Sequence, residues 1–257
     1  MSDFYDLKKE QDVQLYLKNM EIEYGYQCYE DCKPEGCMRL GTFYMSMLKN
    51  YKHAIKAWKK GCYELKNDHS CDSLAKLLVR GIGFTKRQPS EALKLFSRSC
   101  DNNFTKSCLS AASLYKIKKD WVNYEIYLNK GCKSDLNACM ELSAFIFQNF
   151  QNINLKNIIE INLNKPSVQT DSTIENVILN DADELNFKKF LNACDVSCKT
   201  GSFKSCQSLS NLYKVNVYNL KNEKLLIKNN KLGEIYHSKS IKLYKSGKHG
   251  DLSLVCD

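Results

Sequence analysis

The sequence predicts an all-α fold, an α/α superhelical solenoid of disulfide-stapled helical hairpins, and three observations predict it. The first is five cysteine pairs, Cys28 and Cys37, Cys62 and Cys71, Cys100 and Cys108, Cys132 and Cys139, and Cys198 and Cys206, with members 9, 9, 8, 7 and 8 residues apart. The second is the spacing of the first members, 34, 38, 32 and then 66 residues, which is the period of a two-helix repeat with one long interruption. The third is helical periodicity: around the second pair Tyr51, Ala54, Ile55, Trp58, Cys62 and Leu65 share one face, and after the polar break Lys66–His69 a second face starts at Cys71, Leu74, Ala75, Leu77 and Leu78. Folding such a hairpin brings Cys62 and Cys71 together at its closed end, where a disulfide is geometrically easy. Each hairpin buries only part of its apolar surface alone and must stack on its neighbours.

The elements follow in order. In repeat one (9–48), Val13, Tyr16, Leu17, Met20, Tyr24 and Cys28 form the leading helix, Lys33 to Gly36 the turn, and Cys37, Leu40, Tyr44 and Met47 the returning helix. Repeat two (51–80) is the hairpin above, with Ser70 expected as the N-cap of its second helix. Pro89 suits the first turn of repeat three (89–118), which runs through Leu95, Phe96 and Cys100 and returns through Cys108, Ala112 and Tyr115. Repeat four (120–148) carries Trp121, Tyr124, Leu128 and Cys132, then Cys139, Leu142 and Phe145. Over 149–183 asparagine is abundant and periodicity weak, so a disordered insertion is expected there, with a degenerate extra hairpin as the alternative. Repeat five (184–215) resumes at Leu185, Phe187, Phe190, Cys194 and Cys198, and 218–246 is expected as a capping helix at the end of a single repeat domain spanning 1–257.

Composition narrows the function classes. With 43% hydrophobic and 26% charged residues in 257, the chain can build a substantial core and is not a disordered protein. No run of apolar residues is long enough to span a membrane. The formal charge of +9 is mostly lysine, and Lys214–Lys248 carries nine lysines against Glu223 and Glu234. Such a basic end suits nucleic acid, but lysine is also the ordinary solvated residue. Thirteen cysteines spaced as hairpin ends point to disulfides and an oxidising compartment. Met1–Val13 has no apolar core of a secretory signal and no arginine-rich amphipathic presequence. Together these favour the mitochondrial intermembrane space, where oxidation of the cysteines themselves can drive import.

Several residues are candidates for chemistry. Cys32, Cys194 and Cys256 stand outside the five pairs. Cys194 precedes Cys198 by four residues, one face of a continuous helix, and Cys32 follows Cys28 by four at the expected end of its helix; a free thiolate beside a disulfide could exchange with it, the chemistry of a thiol-disulfide oxidoreductase. The plainer reading of these thiols is small buried hydrophobes or tail residues. Met20 has the side chain of an axial haem ligand but lies on an apolar helical face. Zinc is poorly supported, because the cysteine spacings lack C-x2-C and no histidine pair follows. Ser46, Ser73 and Ser113 each open an S-x-x-K, and Lys199, Thr200 and Gly201 spell K-T-G, but there is no S-D-N and K-T-G falls between helices, so a β-lactam-handling enzyme is rejected. Tyr44, Tyr115 and Tyr213 are candidate groove residues, with core packing the plainer reading for each.

Hairpins with cysteines bracketing each turn resemble the cysteine-rich branch of the Sel-one-like repeats, relatives of tetratricopeptide repeats. Val13–Leu40, with Asn19, Met20, Glu21, Ile22, Glu23, Tyr26, Cys28, Tyr29, Gly36, Cys37 and Leu40, resembles the opening of a family of soluble mitochondrial assembly factors for cytochrome c oxidase. The resemblance extends over repeats one to five and weakens beyond Cys139. It implies five intra-repeat disulfides among the ten paired cysteines, residence in the intermembrane space, and a role in building respiratory chain complex IV, for which a monomeric protein-binding scaffold is favoured here over an enzyme. It further implies oxidase assembly factors and copper metallochaperones as partners, with reduction of metallochaperone disulfides and haem binding as the alternative activity. This chain departs from the family twice: Tyr24 stands where relatives carry a further cysteine, and its histidines, His53, His69, His237 and His249, match no haem-ligating position.

Overall fold

The structure is a computed structural model and describes residues 6, 8–83, 86–160 and 176–246. The α/α repeat fold is present as expected. The chain divides into two compact units, Met1–Leu114 and Tyr115–Asp257. In a repeat array each hairpin touches mainly its sequence neighbours, so such a division follows chain order.

The first unit holds α1 (Glu10–Tyr29), α2 (Pro34–Ser46), α3 (Tyr51–Lys59), which continues into one π turn at Lys60–Glu64, α4 (Asp68–Arg80), α5 (Pro89–Asp101) and most of α6 (Thr105–Ile117). Pro34 and Pro89 each open a helix, where a missing N–H costs nothing. Asn67, not Ser70, caps α4: its side chain accepts from the Ser70 N–H at 2.8 Å and from the Ser70 hydroxyl at 2.9 Å. The helix starts three residues earlier than the sequence reading because the amide oxygen of Asn67 reaches an N3 donor, and Ser70 is then inside the first turn. Gly81 ends α4 in the left-handed region at φ 74°.

Hairpins stack through defined contacts. Trp58 of α3 is 1% exposed, donates its indole N–H to the Met38 carbonyl of α2 at 3.2 Å, and lies against Gly41. Asp72 of α4 is buried, pairs with Lys76 at 2.7 Å and accepts from the Ser107 hydroxyl of α6 at 2.8 Å. Asp72→Ala is expected to cost roughly 1–3 kcal/mol in urea unfolding of the oxidised protein, because it strands the buried Ser107 hydroxyl, while the half-exposed Lys76 returns to water at little cost.

The second unit holds α7 (Trp121–Gly131), α8 (Leu136–Gln148), α9 (Ile153–Glu160), β1 (Asn176–Leu179), α10 (Asp181–Thr200), α11 (Phe203–Leu212), β2 (Asn216–Asn219), β3 (Lys224–Leu226) and α12 (Asn230–Lys245). The stretch 149–183, expected to be disordered, contains α9 and β1 in its described parts; 161–175 lies outside the described residues. Leu155, Ile158 and Ile159 are buried at offsets 0, 3 and 4, a short apolar face that the surrounding asparagines obscure. The start of α9 is fixed by the buried Asp183 carboxylate, which accepts the Gln151 and Asn152 N–H groups at 2.9 and 3.0 Å.

The strands form one sheet in the order β1-β2-β3, with β1 parallel to β2, Val177 opposite Val217, and β2 antiparallel to β3. This sheet is an addition to the all-α expectation, and it shortens the expected capping helix: 218–226 belongs to the strands and their turn, and α12 begins only at Asn230. Alternation decides it, since Val215, Val217 and Leu226 are buried while Leu220 is exposed.

Candidate functional site

The cysteine frame comes first, because it positions everything else. All five expected pairs are bonded, Cys28–Cys37, Cys62–Cys71, Cys100–Cys108, Cys132–Cys139 and Cys198–Cys206. Their Cα atoms lie 4.4, 4.6, 4.8, 4.3 and 4.8 Å apart, so the two helices of each hairpin nearly touch at the closed end. Sequence periodicity does not reveal what permits this approach. The residue before almost every bridged cysteine is small: Gly36, Gly61, Ser70, Ser99, Ser107, Gly131, Ala138, Ser197 and Ser205, with Gln27 the larger exception. A Cβ on Gly61 would stand 2.6 Å from the Ser70 hydroxyl, and one on Gly36 would stand 2.6 Å from the Gln27 Cβ. Repeat alignment on the cysteines exposes this signal.

The unpaired thiols fall into two kinds. Cys194 is on α10 at the position four before the first bridged cysteine, which is Trp58 in repeat two, Phe96 in repeat three and Leu128 in repeat four, all buried core residues. It is 1% exposed, and burial pushes its thiol well above the ordinary range, so the thiolate that exchange requires is disfavoured. Cys32 is exposed, and does not share a helical face with Cys28: α1 ends at Tyr29 and Cys32 sits in the left-handed region at φ 50°, as Lys66 does in the next hairpin at φ 56°. Cys28 and Cys198 are themselves bridged, and Cys256 and His249 lie outside the described residues. In the native protein an alkylating probe is expected to label Cys32 and to label Cys194 at least about a hundredfold more slowly, with the difference vanishing in denaturant. Peptide mass spectrometry checks this; equal native rates would contradict the burial of Cys194.

The three candidate groove tyrosines stand seven positions after the second bridged cysteine of their repeats and make packing contacts, in line with the plainer of their two readings. Tyr44 meets His53 at 5.1 Å, Tyr115 stacks on Tyr127 at 5.1 Å, and Tyr213 stacks on Tyr236 at 5.7 Å. Hydroxyls are tied as well, from Tyr44 to Glu21 at 2.8 Å and from Tyr236 to Asp195 at 3.1 Å. Burial and the Asp195 carboxylate push Tyr236 up to about 12. Its folded pKa exceeds the unfolded value near 10, so stability is full below about pH 10 and falls as pH rises toward 12. Absorbance at 295 nm is expected to show this phenol ionising later than free tyrosine.

A concave site does exist in the second unit. A cleft of about 400 Å³ is lined by the end of α6, α7 and α8 through Lys116, Trp121, Tyr124, Glu141, Phe145 and Gln148, among others. Phe145 stacks on Trp121 at 6.1 Å and takes the Tyr124 ring edge to face at 4.9 Å. Glu141 accepts from the Tyr124 hydroxyl at 2.8 Å and from Lys116 at 3.2 Å. Aromatic walls with one fixed ion pair suit a peptide side chain. Trp121, Tyr124 and Phe145 are legible from sequence as a helical face, but not as a cleft.

Met20 is half-buried on α1. The His53 ring packs on Tyr44 and the His69 ring on Phe104 at 5.6 Å, contacts that fit structural roles. Among the described residues no three His, Cys, Asp or Glu side chains are grouped to hold a metal ion, and no helix is long and apolar enough to cross a membrane.

Bridged two-helix repeats of this length and packing define a Sel1-like repeat protein. A Sel1 repeat protein from Oxalobacter formigenes superposes with a TM-score of 0.56 at 14% identity, covering 90% of this chain and 83% of that one. A protective antigen of uropathogenic Escherichia coli with the same fold gives 0.53 at 15% identity over 86% of this chain, which spans 41% of that structure's length. No family model matches the sequence. Curated relatives do: cytochrome c oxidase assembly factor 7 of Xenopus tropicalis is 31% identical over 158 residues, 58% of this chain and 68% of the relative, and that of Homo sapiens is 28% identical over 159 residues, 58% and 69%. The chain belongs to the cytochrome c oxidase assembly factor 7 family.

Proposed function

We propose that this protein acts in the assembly of cytochrome c oxidase, in the mitochondrial intermembrane space, as a disulfide-rigidified scaffold that binds other proteins. The observation that carries the reading is the set of five bridged hairpins in a chain that is about 30% identical, over 58% of its length, to named assembly factors. Each bridge holds the two helices of its hairpin in fixed register, which preorganises a binding surface. Oxidase assembly factors and copper metallochaperones are the partner class, and the cleft around Phe145 is one place for a partner side chain. The test is loss of the protein in its native cells followed by native gel electrophoresis of respiratory complexes. Reduced complex IV, restored by the wild-type chain and poorly by Phe145→Glu, supports the reading. Unchanged complex IV, or a fully reduced protein in the cytosolic fraction, overturns it.

A further inference from the structure

The guanidinium of Arg98, on α5, lies directly on a disulfide of the preceding hairpin. Its Nη2 is 3.0 Å from Cys62 Sγ, 2.6 Å from Cys71 Sγ and 3.2 Å from the Cys62 carbonyl oxygen. Repeat two makes a related but different contact: Lys60, at the same position two before the cysteine, reaches the Tyr29 carbonyl of repeat one at 3.5 Å. The carbonyl contact alone is ordinary helix-end capping. A cation on both sulfurs is another matter, because disulfide sulfur is a weak acceptor with no charge to answer it, whereas a thiolate is a full anion. The charge therefore favours the reduced form of this bridge over the oxidised one.

We infer that Cys62–Cys71 is a redox-active disulfide of this protein, exchanging with small thiols such as glutathione, with Arg98 as its electrostatic partner. In the first step an incoming thiolate bonds to one bridge sulfur, the S–S bond breaks, and its electron pair remains on the departing sulfur beside Arg98. A second thiol then attacks the mixed disulfide and leaves joined to the first. Two electrons and one proton pass to the bridge, which ends as one thiol and one thiolate held by Arg98, while the incoming thiolate and thiol become one disulfide. Both cysteines are fully buried while Arg98 is partly exposed, so the arginine is also the group that must move aside for the first attack. This inference is independent of the scaffold reading, since it concerns the bridge's equilibrium with thiols and not any protein partner.

The experiment equilibrates the full-length oxidised protein in glutathione buffers of graded ratio, quenches with acid, alkylates, and reads the reduced fraction of each bridge by peptide mass spectrometry. Cys62–Cys71 is expected to open in the least reducing buffer of the five. Arg98→Met is expected to raise the ratio needed by about tenfold, equivalent to about 30 mV for a two-electron couple, and Arg98→Lys is expected to restore part of it. The other four bridges serve as the folding control. General loosening of a variant makes every bridge easier to reduce, the opposite direction. Cys62–Cys71 opening together with the others, or opening at an unchanged or lower ratio in Arg98→Met, would overturn the inference.

Discussion

Trp58→Ala is expected to lower the stability of the oxidised protein by about 3–5 kcal/mol, the cost of emptying a large buried site that its surroundings cannot refill. The indole is 1% exposed and is held by its bond to the Met38 carbonyl, so it is fixed in one orientation between α2 and α3. What makes room for it is Gly41: a Cβ there would lie 2.6 Å from Trp58 Cε2. Gly41→Ala alone is accordingly expected to cost about 1–3 kcal/mol by overpacking. In the Trp58→Ala background the same alanine meets a hole, and its cost is expected to shrink or change sign, a coupling of about 0.5–3 kcal/mol. Urea unfolding of the four proteins of this cycle measures it. Equal costs of Gly41→Ala in both backgrounds would mean that the ring does not seat on the glycine.

Full reduction of the disulfides has the larger expected effect. Each bridge closes a loop of about ten residues, which in the chain-entropy model is worth about 2.7 kcal/mol. Five of them amount to about 13 kcal/mol if they add, comparable to the whole net stability of about 5–15 kcal/mol that domains retain. Excess dithiothreitol is therefore expected to remove most of the helical circular dichroism at 37 °C. Cys132→Ala together with Cys139→Ala, which removes one bridge, should leave a folded protein weakened by about 2–3 kcal/mol. A reduced protein with an unchanged thermal midpoint would show that the bridges do not stabilise the fold.

Much of the fold is legible in the sequence because two regularities reinforce each other. Cysteine spacing marks the hairpin ends, and the 3.6-residue period marks the faces, so together they place repeats one to five. The second unit is harder to read for physical reasons. In α9 the buried face is only Leu155, Ile158 and Ile159, too short for periodicity to stand above its asparagines. The sheet joins β1 to β2 across about forty residues, Asn176 to Asn216, and long-range pairing leaves no local trace in a four-residue strand. Cys194 misleads for another reason. Its proximity to Cys198 suggests a redox partner, whereas alignment of the repeats puts it at the core position held by Trp58, Phe96 and Leu128. Arg98 carries no sequence signal at all, because its meaning depends on a sulfur pair 27 and 36 residues away.

The most direct test of the stapled-hairpin account is peptide mapping of the native protein, alkylated in denaturant without reductant. Five linked peptide pairs are predicted, joining Cys28 to Cys37, Cys62 to Cys71, Cys100 to Cys108, Cys132 to Cys139 and Cys198 to Cys206, with Cys32 and Cys194 alkylated. Linkage between different hairpins, or alkylation at all thirteen cysteines, would contradict it.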